Sequence, residues 1–165
     1  MKKVKLYTDG ACRGNPGKGG YGSILQFVMP DGKTVEKEFS EGFAETTNNR
    51  MELMAVIVGL EALKETCEVE IFSDSKYVCD AFNENWIEGW QRRNWKNAQK
   101  QPVKNIDLWK RLIALVEANK CSFTWVKGHA GHELNERCDE LATTAADEYA
   151  TNTDEGMTQE EESLF

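Results

Sequence analysis

The sequence predicts an α/β domain with a mixed five-stranded sheet, three antiparallel strands then two parallel ones, flanked by helices. Three strand-like segments joined by short turns fill the first 42 residues, a pattern typical of an antiparallel meander. Strands and helices then alternate along the chain. Because crossovers between parallel strands are right-handed, the fourth and fifth strands are expected to run parallel to the first.

Alternation of apolar and polar residues predicts the first three strands. The first runs over residues 3–8 and ends near Asp9. Glycines and prolines crowd residues 10–22, which predicts a turn-rich loop. The second strand is expected at 21–29 and the third at 34–42, with a Pro-Asp-Gly turn between them.

Helical periodicity begins at the apolar stretch 51–63, which predicts a largely buried first helix. Asn48 and Asn49 precede it, and asparagine is a favoured N-cap. The later elements predicted are a strand at 68–73, a short helix at 75–82, a helix at 105–118 capped by Asn105, a strand at 121–126 and a helix at 133–149.

Charge is distributed unevenly along the 165 residues, a length that suits one domain. The net charge of −8 by itself argues against a nucleic-acid partner. Residues 147–165, however, hold seven acidic residues and no Lys or Arg, which leaves residues 1–146 at −1. The sequence therefore predicts a nearly neutral domain at 1–146 and an acidic, disordered tail at 147–165.

Several classes of protein are disfavoured by composition. No apolar run approaches the ~20 residues of a membrane helix, and no apolar signal-peptide core follows Met1. A cytoplasmic protein without a membrane partner is expected. The five cysteines are odd in number and form no Cys-x-x-Cys pair, so reduced thiols are expected rather than disulfides or a zinc site.

Four acidic residues occupy unusual positions. Asp9 and Asp74 follow the first and fourth strands, whose carboxyl ends would share one sheet edge. Glu52 and Asp139 each share a helix face with apolar residues, which is costly unless the carboxylate is paired or metal-bound. Each has a structural alternative: Asp9, beside a glycine, could be a turn residue, and Asp74 could cap a helix. Glu52 could favour the helix dipole, and Asp139 could pair with Arg137 or a distant base.

Four carboxylates at one sheet edge would repel one another strongly without cations. All-oxygen ligands select hard cations, so Mg²⁺ is predicted, with Mn²⁺ as a substitute. Four acids suit two ions that share a ligand, an arrangement that supports phosphodiester hydrolysis. No P-loop is present, which leaves ATP hydrolysis unsupported.

Five segments are similar, in order, to the four motifs of a known family. They are residues 7–17, 46–52, 73–75, and 125–132 followed by 135–139. The match is to the bacterial type 1 ribonuclease H family, ribonuclease HI, and covers about residues 3–146.

The resemblance implies cleavage of the RNA strand of RNA–DNA hybrids, with 5′-phosphate and 3′-hydroxyl products. It implies that Asp9, Glu52, Asp74 and Asp139 are catalytic metal ligands for two ions bound with substrate. His129 resembles the family's loop histidine that assists proton transfer or product release. Glu136 resembles an auxiliary acid near the metals, with a helix-surface charge as its alternative.

The resemblance also implies two sets of contacts with the substrate. Beside the acids, amides and a hydroxyl are placed to read the hybrid and its phosphates; these residues are Asn15, Thr47, Asn48, Asn49 and Asn105. A basic protrusion is expected to hold phosphates and sugars through Trp86, Arg92, Arg93, Trp95 and Lys96. The alternatives are that the asparagines only form turns and caps, and that the tryptophans build the protrusion's own core.

The chain departs from the family pattern at Lys76 and Gln91, which puts substrate affinity in doubt but not the chemistry. A non-catalytic hybrid-binding module on the same fold is the alternative function, although such a module would not need four mutually repelling acids. A domain of a transposase or reverse transcriptase is disfavoured by the chain's length. A monomer with no obligate protein partner is expected.

Overall fold

The computed structural model describes residues 1–128 and 132–157 of the chain. The strands named within these residues are β1 (Lys2–Gly14), β2 (Gly17–Val28), β3 (Thr34–Thr46), β4 (Cys67–Ser73), β5 (Lys120–Trp125) and β6 (Ala150–Asn152). The helices are α1 (Asn48–Glu61), α2 (Lys76–Asn83), α3 (Trp86–Arg92), α4 (Ile106–Glu117) and α5 (Glu133–Glu148).

The strands form one mixed sheet in the order β5-β4-β1-β2-β3-β6. β1, β2 and β3 pair antiparallel, while β4 and β5 run parallel to β1. The predicted fold class is therefore confirmed. The structure adds a three-residue strand, β6, which pairs parallel with the outer edge of β3.

Helices cover both faces of the sheet. On one face, Ser23 Oγ donates to the carbonyl oxygen of Ala55 in α1 at 2.5 Å. Its neighbour Gly22 points to the opposite face, where α5 lies. The main core is between the sheet and helices α1 and α4, and it includes fully buried Leu6 and Trp109. No helix among the described residues is long and apolar enough to cross a membrane.

The glycine-rich stretch 10–22 forms a hairpin, so the predicted loop there is wrong. β1 and β2 stay paired from Asp9–Gly22 to Gly14–Gly17. The glycines serve packing: a Cβ added at Gly20 would lie 2.6 Å from the carbonyl oxygen of Ala142 in α5. Because such glycines have no side chain, α5 packs directly on the backbone of β2. Turn statistics do not reveal this role of glycines within strands.

The prediction of a disordered tail is wrong for residues 150–157, which follow the helix predicted up to residue 149. α5 continues to Glu148, β6 joins the sheet, and Asp154 is buried at 9% exposure. Two acids of this segment form ion pairs at 2.8 Å, Asp147 with Arg13 and Asp154 with Arg50. Such long-range partners compensate for the segment's low apolar content. Residues 158–165 lie outside the described residues.

Candidate active site

Asp9 and Asp74 lie next to each other at one edge of the parallel strands. β1 and β4 pair in parallel up to Tyr7 and Phe72, and each aspartate follows that last pair by two residues. Asp9 does not end its strand, because β1 continues into the hairpin with β2. The two carboxylates thus come from neighbouring strands at the same height.

Glu52 reaches this edge because Gly10 has no side chain. A Cβ at Gly10 would lie 2.6 Å from the backbone nitrogen of Glu52, so any other residue would push α1 away from β1. The Gly10 N–H donates both to Asp9 Oδ1 at 2.9 Å and to Glu52 Oε1 at 2.6 Å. One backbone amide therefore fixes two carboxylates relative to each other.

Three carboxylates converge at this point. Asp9, Glu52 and Asp74 each offer an oxygen, and these oxygens all lie within 4.8 Å of one another. Asp139, from α5, lines the same open cavity of about 380 Å³. Asp9 and Glu52 are each only 3% exposed. The structure thus brings all four predicted acids to one cavity.

Burial and mutual repulsion disfavour the charged forms of these acids. Burial raises the pKa of Asp9 well above its ordinary value, and the Glu52 and Asp74 carboxylates raise it further. Burial also raises the pKa of Glu52, with Asp74 as the next cause. Burial and repulsion therefore favour the protonated forms of Asp9 and Glu52 when no cation is bound.

The residues fit a hard divalent cation. The donor set consists of carboxylate oxygens, which Mg²⁺ and Mn²⁺ prefer. Glu52 Oε2 is buried and receives no hydrogen bond from any described residue. A buried carboxylate oxygen in that state is costly, and a cation would satisfy it. Asp9, Glu52 and Asp74, with Asp139 on the same cavity, are thus the residues that could hold a metal ion.

Asp139 is positioned by the contact of α5 with the sheet. Asn135, one helical turn earlier, is 1% exposed and its Nδ2 donates to the carbonyl oxygen of Phe72 at 3.2 Å. That bond ties the start of α5 to the end of β4, two residues before Asp74. Asn135 has no role that the sequence alone reveals, because only the fold shows which carbonyl it meets.

Local contacts argue against the structural alternatives for three acids. Ser75, not Asp74, caps α2 by accepting from the Val78 amide at 3.2 Å. Glu52 is the fifth residue of α1, beyond the first turn where an acid favours the dipole. For Asp139, the expected partner Arg137 pairs with Glu38 at 2.8 Å and with Glu140 at 3.1 Å.

The candidate recognition residues near the acids divide by location. Asn48 and Asn49 line the cavity, while Asn15 Oδ1 accepts from the Asn48 amide at 3.2 Å. Thr47 caps α1, accepting from the Arg50 amide at 3.3 Å, so the predicted asparagine cap is wrong. The hairpin tip and the start of α1 therefore present adjacent amides beside the acids.

Asn105 does not cap α4 as the sequence predicted. It occupies the N-cap position in a left-handed conformation, with φ of 62°, and its side chain makes no capping hydrogen bond. Instead its amide bridges the Arg50 guanidinium and the Tyr77 hydroxyl, at 3.2 and 3.1 Å. A tertiary network has thus taken the side chain away from the helix end.

The protrusion lies outside the acid cavity. The rings of Trp86 and Trp95 each lie 6.4 Å from that of Trp90, which packs on core Trp109 at 5.2 Å. These contacts favour a packing role for the tryptophans, although Trp86 is 39% exposed. The cations of this segment are exposed; they are Arg92, Arg93 and Lys96.

The last two predicted site residues are Glu136 and His129. Glu136 is exposed on α5 and is not among the described residues that line the cavity. His129 lies outside the described residues.

The cavity residues that were not predicted for the site include Lys76 and Tyr77, in the first turn of α2. Lys76 Nζ lies 4.7 Å from the ring centre of Trp125, and Trp125 Nε1 donates to the Asp74 carbonyl oxygen at 3.0 Å. Lys76 thus brings a cation to the rim of the acidic cavity. Their position directly after Asp74-Ser75 was the available signal.

Comparison with known proteins agrees with this geometry. A model of the RNase H family matches residues 1–147. The chain is 59% identical over 146 residues to "Ribonuclease H" of Lachnoclostridium phytofermentans, covering 88% of this chain and 92% of that protein. It is 55% identical over 160 residues to "Ribonuclease H" of Salmonella paratyphi C, covering 97% and 99%.

Solved structures show the same fold. LC9-RNase H1, described as a type 1 RNase H with the type 2 active-site motif, superposes with a TM-score of 0.80 at 32% identity, covering 89% of this chain and 73% of that one. LC11-RNase H1 in complex with RNA/DNA hybrid gives a TM-score of 0.62 at 27% identity, covering 87% and 96%.

Proposed function

The chain belongs to the ribonuclease H family and is a nuclease, and we propose that it hydrolyses the RNA strand of RNA–DNA hybrids with two divalent metal ions. The observation that carries this proposal is the convergence of Asp9, Glu52 and Asp74 within 4.8 Å, with Asp139 on the same cavity. The proposed products carry 5′-phosphate and 3′-hydroxyl ends.

Mg²⁺, or Mn²⁺ in its place, would be held by the four carboxylates, and when bound it activates water and stabilises the leaving oxygen. The protein's part is to fix the ligands. The Gly10 amide holds Asp9 and Glu52 together, and the Asn135 side chain ties α5 to β4. His129 is proposed to assist proton transfer or product release, on the support of its motif.

The hybrid is proposed to lie across the cavity and the start of α1. Asn15, Asn48 and Asn49 present amides beside the acids, where hydroxyl groups of an RNA strand can be read. Thr47 and Asn105 are proposed to hold a phosphate of the DNA strand. A relative of this fold in complex with RNA/DNA hybrid supports this substrate class.

The exposed cations of the protrusion are proposed to bind phosphates. Replacing Arg92 and Arg93 with Gln should weaken hybrid binding and lower the slope of log affinity against log salt by about 0.9 for each phosphate that is no longer neutralised. Lys33→Gln, an exposed cation in the turn between β2 and β3, is the matched control. Titration of labelled hybrid at several salt concentrations measures both effects. An unchanged slope would show that the protrusion does not bind phosphates.

One cleavage assay tests the function. A hybrid with labelled RNA is incubated with Mg²⁺, with Mn²⁺ and with a chelator, beside duplex DNA and duplex RNA. Cleavage of the hybrid alone, lost on chelation, is expected. Asp139→Asn should reduce the rate more than about 100-fold, because even hydrogen-bond partners of metal ligands contribute about 10- to 100-fold. The adjacent exposed Glu140→Gln should leave the rate unchanged.

Other outcomes would reject the proposal. Cleavage that survives chelation, or an Asp139→Asn variant with full activity, contradicts metal catalysis. Hybrid binding without any cleavage would favour a non-catalytic binding module. Mass measurement of the fragments identifies the ends. We also propose a monomer, because a single chain supplies all four acids to the cavity. Gel filtration with light scattering tests the monomer. A cytoplasmic location is also proposed.

A further inference from the structure

Residues 150–157 form a strap that crosses the edge of the sheet from α5 towards α1 and α4. β6 pairs with β3, and Asn152 Nδ2 donates to the Gly42 carbonyl oxygen at 2.8 Å. Thr46 Oγ1 then donates to Asp154 Oδ2 at 2.6 Å. A Cβ at Gly156 would collide with Arg50, so the strap's backbone lies directly against that side chain.

The strap's Asp154 holds Arg50, which is 1% exposed. Arg50 Nε and Nη2 donate to Asp154 at 2.8 and 3.0 Å. Its Nη1 and Nη2 donate to Asp107 at 2.9 and 2.6 Å. A fifth bond runs from Nη1 to Asn105 Oδ1 at 3.2 Å. The planar guanidinium is thus fixed by carboxylates on two sides, which fixes the direction of the bond to Asn105.

The network continues from Asn105 to the acid cavity. Asn105 is 8% exposed, and while its Oδ1 accepts from Arg50, its Nδ2 donates to the Tyr77 hydroxyl at 3.1 Å. The Tyr77 hydroxyl also accepts from Trp109 Nε1 at 2.9 Å. The hydroxyl is the acceptor in both bonds, so its single proton is used in neither. Tyr77 lines the cavity, and its own O–H is left to donate.

We propose that Asp154 is a positioning residue which, through Arg50 and Asn105, orients the Tyr77 hydroxyl to donate to a phosphate oxygen of the bound hybrid. This inference rests on the proposed function, because it assigns a contact to that substrate. It gives the strap a role in binding substrate as well as in folding. Neither the strap nor Tyr77 carries an acid of the metal cluster, so the effect belongs to KM and not to kcat.

The test compares Tyr77→Phe, Asp154→Asn and the double variant in steady-state cleavage of a hybrid. Tyr77→Phe should raise KM about fivefold, the effect of one hydrogen bond of average strength, with kcat within about twofold. Asp154→Asn keeps the shape but removes the charge that fixes Arg50, and it should also raise KM. The double variant should raise KM by less than the product of the two single effects, because both changes act on the Tyr77 contact, while Asp154→Asn also reaches the phosphate contact proposed for Asn105.

Two further variants separate positioning from stability. Glu61→Gln removes the exposed Arg111–Glu61 ion pair, which joins the same helices α1 and α4, and should leave KM unchanged. Thr46→Val weakens the hold on Asp154 more gently, so it answers the question if Asp154→Asn fails to fold.

The possible failures are distinguishable. A wild-type protein that does not cut hybrid overturns the proposed function. A wild-type protein that cuts overturns the role of the strap if Asp154→Asn and Thr46→Val lower only the melting temperature. Effects of Asp154→Asn and Tyr77→Phe on KM that multiply in the double variant also overturn it.

Discussion

Helix α1 carries two buried charges of opposite sign, Arg50 and Glu52, which are stabilised in different ways. Arg50 is 1% exposed and finds carboxylate partners within the chain, Asp107 and Asp154. Glu52 is 3% exposed and lies among carboxylates, Asp9 and Asp74. The first site completes its charge balance by folding, whereas the second would be completed by the proposed metal ions. Such an accumulation of like charge is expected where function, not stability, fixes the residues.

The largest expected effect on stability comes from breaking the paired site around Arg50. Arg50→Met should lower the free energy of unfolding by about 3 kcal/mol, because it leaves Asp154 buried without its cation. Urea unfolding followed by circular dichroism measures this loss. The double variant Arg50→Met with Asp154→Asn should recover part of it, since position 154 then carries no charge. A single variant as stable as wild type would show that the network does not depend on its cation.

The acid site around Glu52 should respond in the opposite direction. In the presence of a chelator, Asp9→Asn should raise the free energy of unfolding by about 2 kcal/mol, because it removes a charge that burial and repulsion disfavour. The same variant should lose activity. Unfolding of Asp9→Asn, of wild type and of the control Glu140→Gln measures the difference. An Asp9→Asn variant less stable than wild type without metal would contradict the repulsion.

The pH dependence of the metal-free protein sharpens this contrast. Asp9 and Glu52 have pKa values raised by folding, so their contribution to stability is present below the unfolded pKa of about 4 and is lost as pH rises. The advantage of Asp9→Asn over wild type should therefore grow by up to about 1.4 kcal/mol for each pH unit between about pH 5 and about pH 7. Unfolding at each pH in chelator measures it, and a constant difference would refute the linkage.

The two sites also differ in how far the sequence could predict them. The conflict between Glu52 and its apolar helix face is visible locally, and it points to the acid cluster. The pairing of Arg50 with Asp154 spans 104 positions, so no local periodicity shows it, and the acidic composition after residue 147 is typical of disorder. Tyr77 escapes prediction for the same reason, since its partners Asn105 and Trp109 lie about 30 positions further along the chain.

A similar limit applies to the fold. The directions of the first five strands follow from short turns and crossover handedness, and the structure agrees. The hairpin at 10–22 resembles a loop in sequence because glycines mark turns far more often than strands. Here Gly20 and Gly22 remove side chains beneath α5, a reason that exists only once the helix has a place. Local sequence rules therefore fail where a residue is required by packing against an element that is distant in the sequence.

The smallest expected effect on stability is that of an exposed ion pair, and it tests whether burial of charge explains the stability of the paired site. Arg111 and Glu61 join α4 to α1 at 2.6 Å, as Arg50 and Asp107 do, but both side chains are exposed, at 45% and 39%. Solvent screens such a pair, so Glu61→Gln should cost less than about 1 kcal/mol, and less again in about 1 M salt. Urea unfolding at low and high salt measures this. If Glu61→Gln cost as much as Arg50→Met, the joining of the helices, not the burial of charge, would explain the stability of the paired site.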